Sequence, residues 1–191
     1  ESGKVKYPHD YTIVLVGDSM TEWLGNSDEL RGYLNEYYPN KAFEVLNYGY
    51  GSTNILSVPE RLEKETFYRR TFRSITDIDF DLILIESMGH NPLSQFSLEE
   101  GLKKQTETLD YIVKTLKDKN PRAKIVFVAT LGLSKKNYAQ GTVNLTSDQR
   151  NKWVQERTSY IKNHISYGKS HNIPVVNIFE KSLDSSGNVK D

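Results

Sequence analysis

Five short apolar runs, each separated from the next by a longer polar or helix-patterned stretch, constrain this chain more than any other feature. They are Thr12 to Val16, Phe43 to Asn47, Asp81 to Glu86, Lys124 to Thr130 and Pro174 to Phe179. Runs this short, rich in Val, Ile and Leu, suit strands covered on both faces. Parallel neighbours need a crossover long enough to hold a helix, so the alternation predicts an α/β fold, a parallel sheet with helices on both faces.

The intervening stretches carry helix signals. "SDELRGYLNEYY" is expected to be a helix capped by Ser27, and a second helix after Ser97 places Leu98, Leu102, Leu109, Ile112, Val113 and Leu116 near one stripe. Its early Glu99 and Glu100, late lysines and terminal Asn120-Pro121 agree with helix polarity. A third helix is expected from about 147 to 168, with Trp153, Val154, Tyr160, Ile161 and Ile165 on its apolar side. The stretch from Ile55 to Arg73 has no clear period. "GLSKKNYAQGTVNLT" reads as a rim loop or lid, and its Asn144-Leu145-Thr146 sequon as a chance match.

A chain of 191 residues suffices for one domain, here 11–191, behind a polar leader, 1–10, expected to be a linker. Its 25 basic and 25 acidic side chains cancel, so no global field draws it to nucleic acid or to an anionic membrane. The absence of cysteine excludes disulfides, thiolate metal sites and a cysteine nucleophile. No apolar run approaches the roughly 18 residues that cross a bilayer. The first residue is Glu rather than Met, so a removed signal, anchor or domain is expected ahead of it, as in an exported or membrane-tethered protein.

In an open parallel sheet, ligands bind beyond the carboxyl ends of the strands. The segments following the first three runs are "GDSMT", "NYGYGSTN" and "ESMGHNPL", all rich in small or hydrogen-bonding residues. Gly17 permits a tight departure, Asp18 can bond the local backbone, and Ser19 then sits at a strand-to-helix corner with its hydroxyl exposed. There its own N–H lies at a helix start, where an oxyanion is favoured. Gly49, Gly51 and Ser52 can offer further N–H donors, and Asn91 a side-chain amide, with Gly89 giving room and Pro92 fixing the turn. Each segment alone could be a simple turn. Together they supply what acyl transfer requires, a nucleophile and two or three oxyanion donors.

In their order, "VLVGDSMT", "NYGYGSTN" and "SMGHN" resemble the SGNH hydrolases, also called the GDSL lipase/esterase family, from about Tyr11 to the end of the chain. The resemblance implies a three-layer α/β/α sandwich with a five-stranded, flavodoxin-like parallel sheet. It also implies ester hydrolysis without metal or cofactor, with Ser19 as nucleophile and Asn91 as an oxyanion donor. Counted from Asn47, the family's oxyanion glycine falls at Ser52, so the Ser52 N–H is the favoured donor and Gly51 the alternative.

A serine hydroxyl needs a base, normally a histidine held by a carboxylate. The family carries that pair as DxxH after the fifth strand, and no DxxH occurs here: past Phe179 the chain reads "EKSLDSSGNVKD". His9 and His171 precede strands and belong at the opposite edge; His164 lies in a helix pattern. Only His90, in the middle of GxN, lies on the right rim. A native chain continuing beyond Asp191 into DxxH is therefore expected.

The expected function is hydrolysis of a small-molecule ester through an acyl-enzyme on Ser19. Acetylated carbohydrate is the first substrate class and a small acyl ester or lysolipid the next, with Trp23, Tyr48 or Tyr50 stacking on a sugar or else packing. The alternative is a non-catalytic carbohydrate- or acyl-binding module. A flavodoxin-like nucleotide or phosphoacceptor domain fits less well: GxxxxGK[ST] is absent and "GYGSTN" lacks the last glycine of GxGxxG. Asp77, Asp79 and Asp81 enter the third strand away from the rim and are expected to solvate it; no metal is expected.

Overall fold

A computed structural model of the protein describes residues 3–190. A parallel sheet of five strands runs in the order β2-β1-β5-β6-β7, with β1 Tyr11–Gly17, β2 Phe43–Gly49, β5 Leu82–Glu86, β6 Lys124–Ala129 and β7 Val175–Asn177. A separate hairpin of β3 (Thr66–Tyr68) and β4 (Arg70–Phe72) stands outside it. The helices are α1 (Ser19–Glu22), α2 (Asp28–Tyr37), α3 (Val58–Glu63), α4 (Leu98–Lys119), α5 (Ser147–Ser170) and α6 (Ile178–Lys181).

Strand residues alternate between two apolar layers, as the period of two requires. Val14, Val16, Ile83, Ile85 and Phe127 pack beneath α3, α4 and α5 with Val58, Leu62, Leu109, Ile112 and Tyr160. Ile13, Leu15 and Val45 face the other way, against Leu30 and Leu34 of α2. The result is the three-layer α/β/α sandwich with a flavodoxin-like strand order. On the α2 side, Leu84, Val126 and Val128 are half-buried and Val176 is exposed.

Register decides where the rim begins. Gly17 lies opposite Gly49, and Val16 opposite Ile85, so the chain leaves β1, β2 and β5 at nearly one level. With adjacent strands about 4.8 Å apart, three successive corners open onto one patch of surface.

Several elements differ from expectation. The fifth run divides: Asn177 ends β7 and its side chain accepts from Glu180 N–H, so "IFEK" turns into α6 instead of extending the strand. Ser27 precedes α2, but in left-handed backbone (φ 58°) and with no capping bond from its side chain. Thr146, the last residue of the sequon, caps α5 in a reciprocal box with Gln149. Ser97 caps α4 as expected, accepting from Glu100 N–H.

The unassigned 55–73 stretch holds a 3-10 turn, α3 and the β3–β4 hairpin. Within the leader, Val5 pairs with Ile78 and exchanges backbone hydrogen bonds with Asp77 and Asp79, so this segment lies along the sheet's amino edge; residues 1 and 2 lie outside the described residues. The three aspartates at that edge also do more than meet water. Asp81 Oδ2 accepts from Thr12 N–H at 2.8 Å, tying β5 to β1.

Candidate active site

The first corner is a four-residue helix capped by Asp18. Asp18 is fully buried and its Oδ1 accepts from Met20 N–H at 2.9 Å, which sets Ser19 at the first helical position. The Ser19 N–H is one of the donors with no intrahelical acceptor, and neither it nor the hydroxyl has a partner among the described residues. Gly17 is required here for space: a Cβ would strike the Thr21 side chain. At Gly49 the obstruction is the backbone of Glu22.

At the second corner, the Gly51 N–H is already donated to Tyr68 Oη (3.0 Å), whose hydroxyl donates to Glu22 Oε2 (3.0 Å). Ser52 occupies left-handed backbone at φ 59°, an uncommon conformation for a non-glycine residue, and its N–H has no acceptor among the described residues. Of the two donors considered for this loop, Ser52 is the one left available. Tyr50 N–H donates to Gly17 O at 3.1 Å and joins this corner to the first.

Sequence reasoning missed the side chain that spans these two corners. Arg61, at 1 % exposure, donates from Nη1 to Gly17 O (2.8 Å) and Tyr48 O (2.9 Å). Its Nη2 donates to the hydroxyls of Thr53 (2.5 Å) and Ser57 (2.6 Å), and its guanidinium lies 4.2 Å from the centre of the Tyr50 ring. Burial pulls its pKa down to about 10. An arginine is ordinarily a surface residue, so its position in the sequence carried no signal.

At the third corner, Asn91 Nδ2 donates to Asp18 Oδ2 at 2.7 Å. One amide hydrogen is thereby used, and the other remains for a ligand. Glu86, which ends β5, accepts from Met88 N–H (2.8 Å) and the Ser87 hydroxyl (3.1 Å) at Oε1, and from Asp18 N–H (3.4 Å) at Oε2. Met88 is held at φ 50°. Burial, with the Asp18 charge adding to it, pushes the Glu86 carboxyl up to about 8, so it carries its proton at neutral pH. Arg61 and Glu86 thus tie the first corner to the second and to the third.

The histidines lie as follows. His164 is fully buried in the core, stacked on Phe127 with ring centres 4.2 Å apart and Nε2 3.2 Å from Ile85 O; burial lowers its pKa to about 3. His9 lies 3.7 Å from Glu44 near the amino edge, and His171 stacks on Tyr167 at the end of α5. His90 is on the rim, its ring edge-on to Tyr138 of the long loop, with Nε2 buried and without a partner. Burial lowers its pKa, and the Asp18 charge opposes that. No described imidazole hydrogen-bonds Ser19.

The candidate aromatics also separate. Tyr48 and Tyr50 are each 5 % exposed, and Tyr50 stacks on Tyr68 with centroids 4.7 Å apart. Trp23 is 87 % exposed, and its backbone N–H donates to Ser19 O at 2.9 Å. That bond places Trp23 one helical turn from Ser19 on the same side of the chain.

No family model matches this sequence, and no curated protein does. Solved structures match at full fold level. A protein described as lipolytic and of the G-D-S-L family, from Desulfitobacterium hafniense, aligns at TM-score 0.62 and 15% identity over 95% of this chain and 85% of its own. An acetylxylan esterase from Geobacillus stearothermophilus aligns at 0.59 and 14% over 95% and 87%. A gut microbial diltiazem-metabolizing enzyme aligns at 0.64 and 13% over 94% of this chain, which spans 40% of that enzyme's length. The fold is that of the SGNH hydrolases.

Proposed function

We propose that this protein is a serine ester hydrolase, with Ser19 attacking the ester carbonyl to give an acyl-enzyme. The observation that carries the reading is the Asn91–Asp18 hydrogen bond. It brings an amide with a spare hydrogen beside a serine whose own N–H is free, while the Ser52 N–H stands unpaired on the loop tied to the same corner. Donors preorganised in this way stabilise the oxyanion without reorganising as the charge develops.

O-acetylated carbohydrate is the proposed substrate class. Trp23 offers an apolar face to a pyranose one turn from the nucleophile, and an acetylxylan esterase among the structural relatives supports the assignment. A second reading, a non-catalytic module that binds such a group without turning it over, is favoured by the absence of an imidazole on Ser19 among the described residues. Measuring p-nitrophenyl acetate hydrolysis together with fluorophosphonate labelling separates the two.

An esterase labels at Ser19, and Ser19→Ala lowers turnover on the order of 10⁴- to 10⁶-fold, as in comparable serine hydrolases. No labelling, with turnover equal in the variant and the parent, overturns catalysis and leaves the binding module.

A further inference from the structure

We propose that Arg61 is a positioning residue that holds the Ser52 N–H in place against the Ser19 corner. The proposal rests on the ester-hydrolysis reading of that corner. A buried guanidinium carries a heavy desolvation cost, and a well-packed apolar side chain in α3 would fill the same space more cheaply. All four of its hydrogen bonds go to neutral acceptors, and the Asp18 charge, which favours the guanidinium through space, accepts none of them.

What the four acceptors share is location. Gly17 is two residues before Ser19, Tyr48 is the last residue but one of β2, Thr53 directly follows Ser52, and Ser57 closes the loop at the start of α3. The Thr53 hydroxyl also donates to Tyr50 O at 2.5 Å, so residues 50–53 are drawn into a closed turn with Ser52 at its crest. Gly17 O receives both Tyr50 N–H and Arg61, which makes it the hinge between the turn and the nucleophile's strand. Only a planar fork reaches carbonyls on one side and hydroxyls on the other; a lysine ammonium, a single point with a different reach, does not.

The test compares Arg61→Lys and Thr53→Val with the parent on p-nitrophenyl acetate, each rate normalised to the fluorophosphonate-titrated sites. Losing the alignment of one oxyanion donor should lower kcat by about 10- to 100-fold for Arg61→Lys, below the cost of deleting a donor outright. Thr53→Val, which removes one acceptor of the fork, should lower it by about 3- to 10-fold. KM should stay within about threefold in both, since the donor acts on the transition state.

A purely structural role would lower the melting temperature and the number of titratable sites but leave kcat per site unchanged. A folded Arg61→Lys with kcat within about twofold of the parent overturns the proposal. If Arg61→Lys does not fold, Thr53→Val decides by the same criterion. If the parent turns over no faster than Ser19→Ala, ester hydrolysis fails independently, and the positioning is then read from amide resonances. Shifted signals and faster hydrogen exchange at 50–53 in Thr53→Val, with distant amides unaltered, uphold it; unchanged amides there overturn it.

Discussion

Replacing Glu86 with glutamine should stabilise the protein by an amount that grows as pH rises from about 4.5 toward about 8. In the unfolded chain this carboxyl ionises near its ordinary value, whereas in the fold burial and the Asp18 charge keep its proton on. Between those two values the native state binds one proton more than the unfolded state, so Glu86 withdraws stability as pH increases, at most about 1.4 kcal/mol per pH unit. At pH 7 that amounts to roughly 2 to 3 kcal/mol, part of the shift belonging to the interaction with Asp18.

A glutamine mimics the protonated carboxyl. Its carbonyl can accept from Met88 N–H and the Ser87 hydroxyl as Oε1 does. Its NH₂ then faces the Asp18 N–H, whose bond to Glu86 is long at 3.4 Å, and the lost acceptor offsets about 1 kcal/mol. Urea titrations of both proteins at pH 4, 6, 7 and 8 measure the outcome. The variant should be no more stable at pH 4 and about 1 to 2 kcal/mol more stable at pH 7, or several degrees in melting temperature for a chain of this size. A stability difference that does not vary with pH, or a parent that gains on the variant as pH rises, refutes the reasoning.

Asn91→Ala removes the proposed oxyanion donor and leaves Asp18 Oδ2 without its 2.7 Å partner, so kcat for an aryl acetate should fall about 10²- to 10³-fold; steady-state kinetics on folded protein checks it. Trp23→Ala should raise KM for an acetylated xylo-oligosaccharide by roughly 3- to 10-fold, with a much smaller effect on an aryl acetate and no more than about 0.5 kcal/mol in stability, because its ring is solvent-exposed.

The parts legible in the sequence are those whose physics is local. The apolar runs locate the core of every strand in the sheet, and the Ser97 cap with its acidic first turn and basic last turn marks α4 within a residue. Where a signal was misplaced, a nearer competitor explains it. Ser27 has the right chemistry for a cap but the wrong backbone, while Thr146, read only as part of a sequon, has both. The β3–β4 hairpin was not visible because its strands are only three residues each and its role is to carry Tyr68 to the second corner.

By itself the sequence determined the layered parallel fold and the corner on which Ser19 stands, because a buried strand ending in Gly-Asp-Ser contains its own turn and cap. Tertiary structure alone decided which donors remain free and which aromatics meet solvent. Gly51 is silenced by a hydroxyl 17 residues further along, and Trp23 rather than Tyr48 or Tyr50 stays outside. The same holds for the two buried ionisable groups that join the corners: Arg61 and Glu86 act across separations of 44 and 68 residues, distances over which neither periodicity nor turn chemistry carries information.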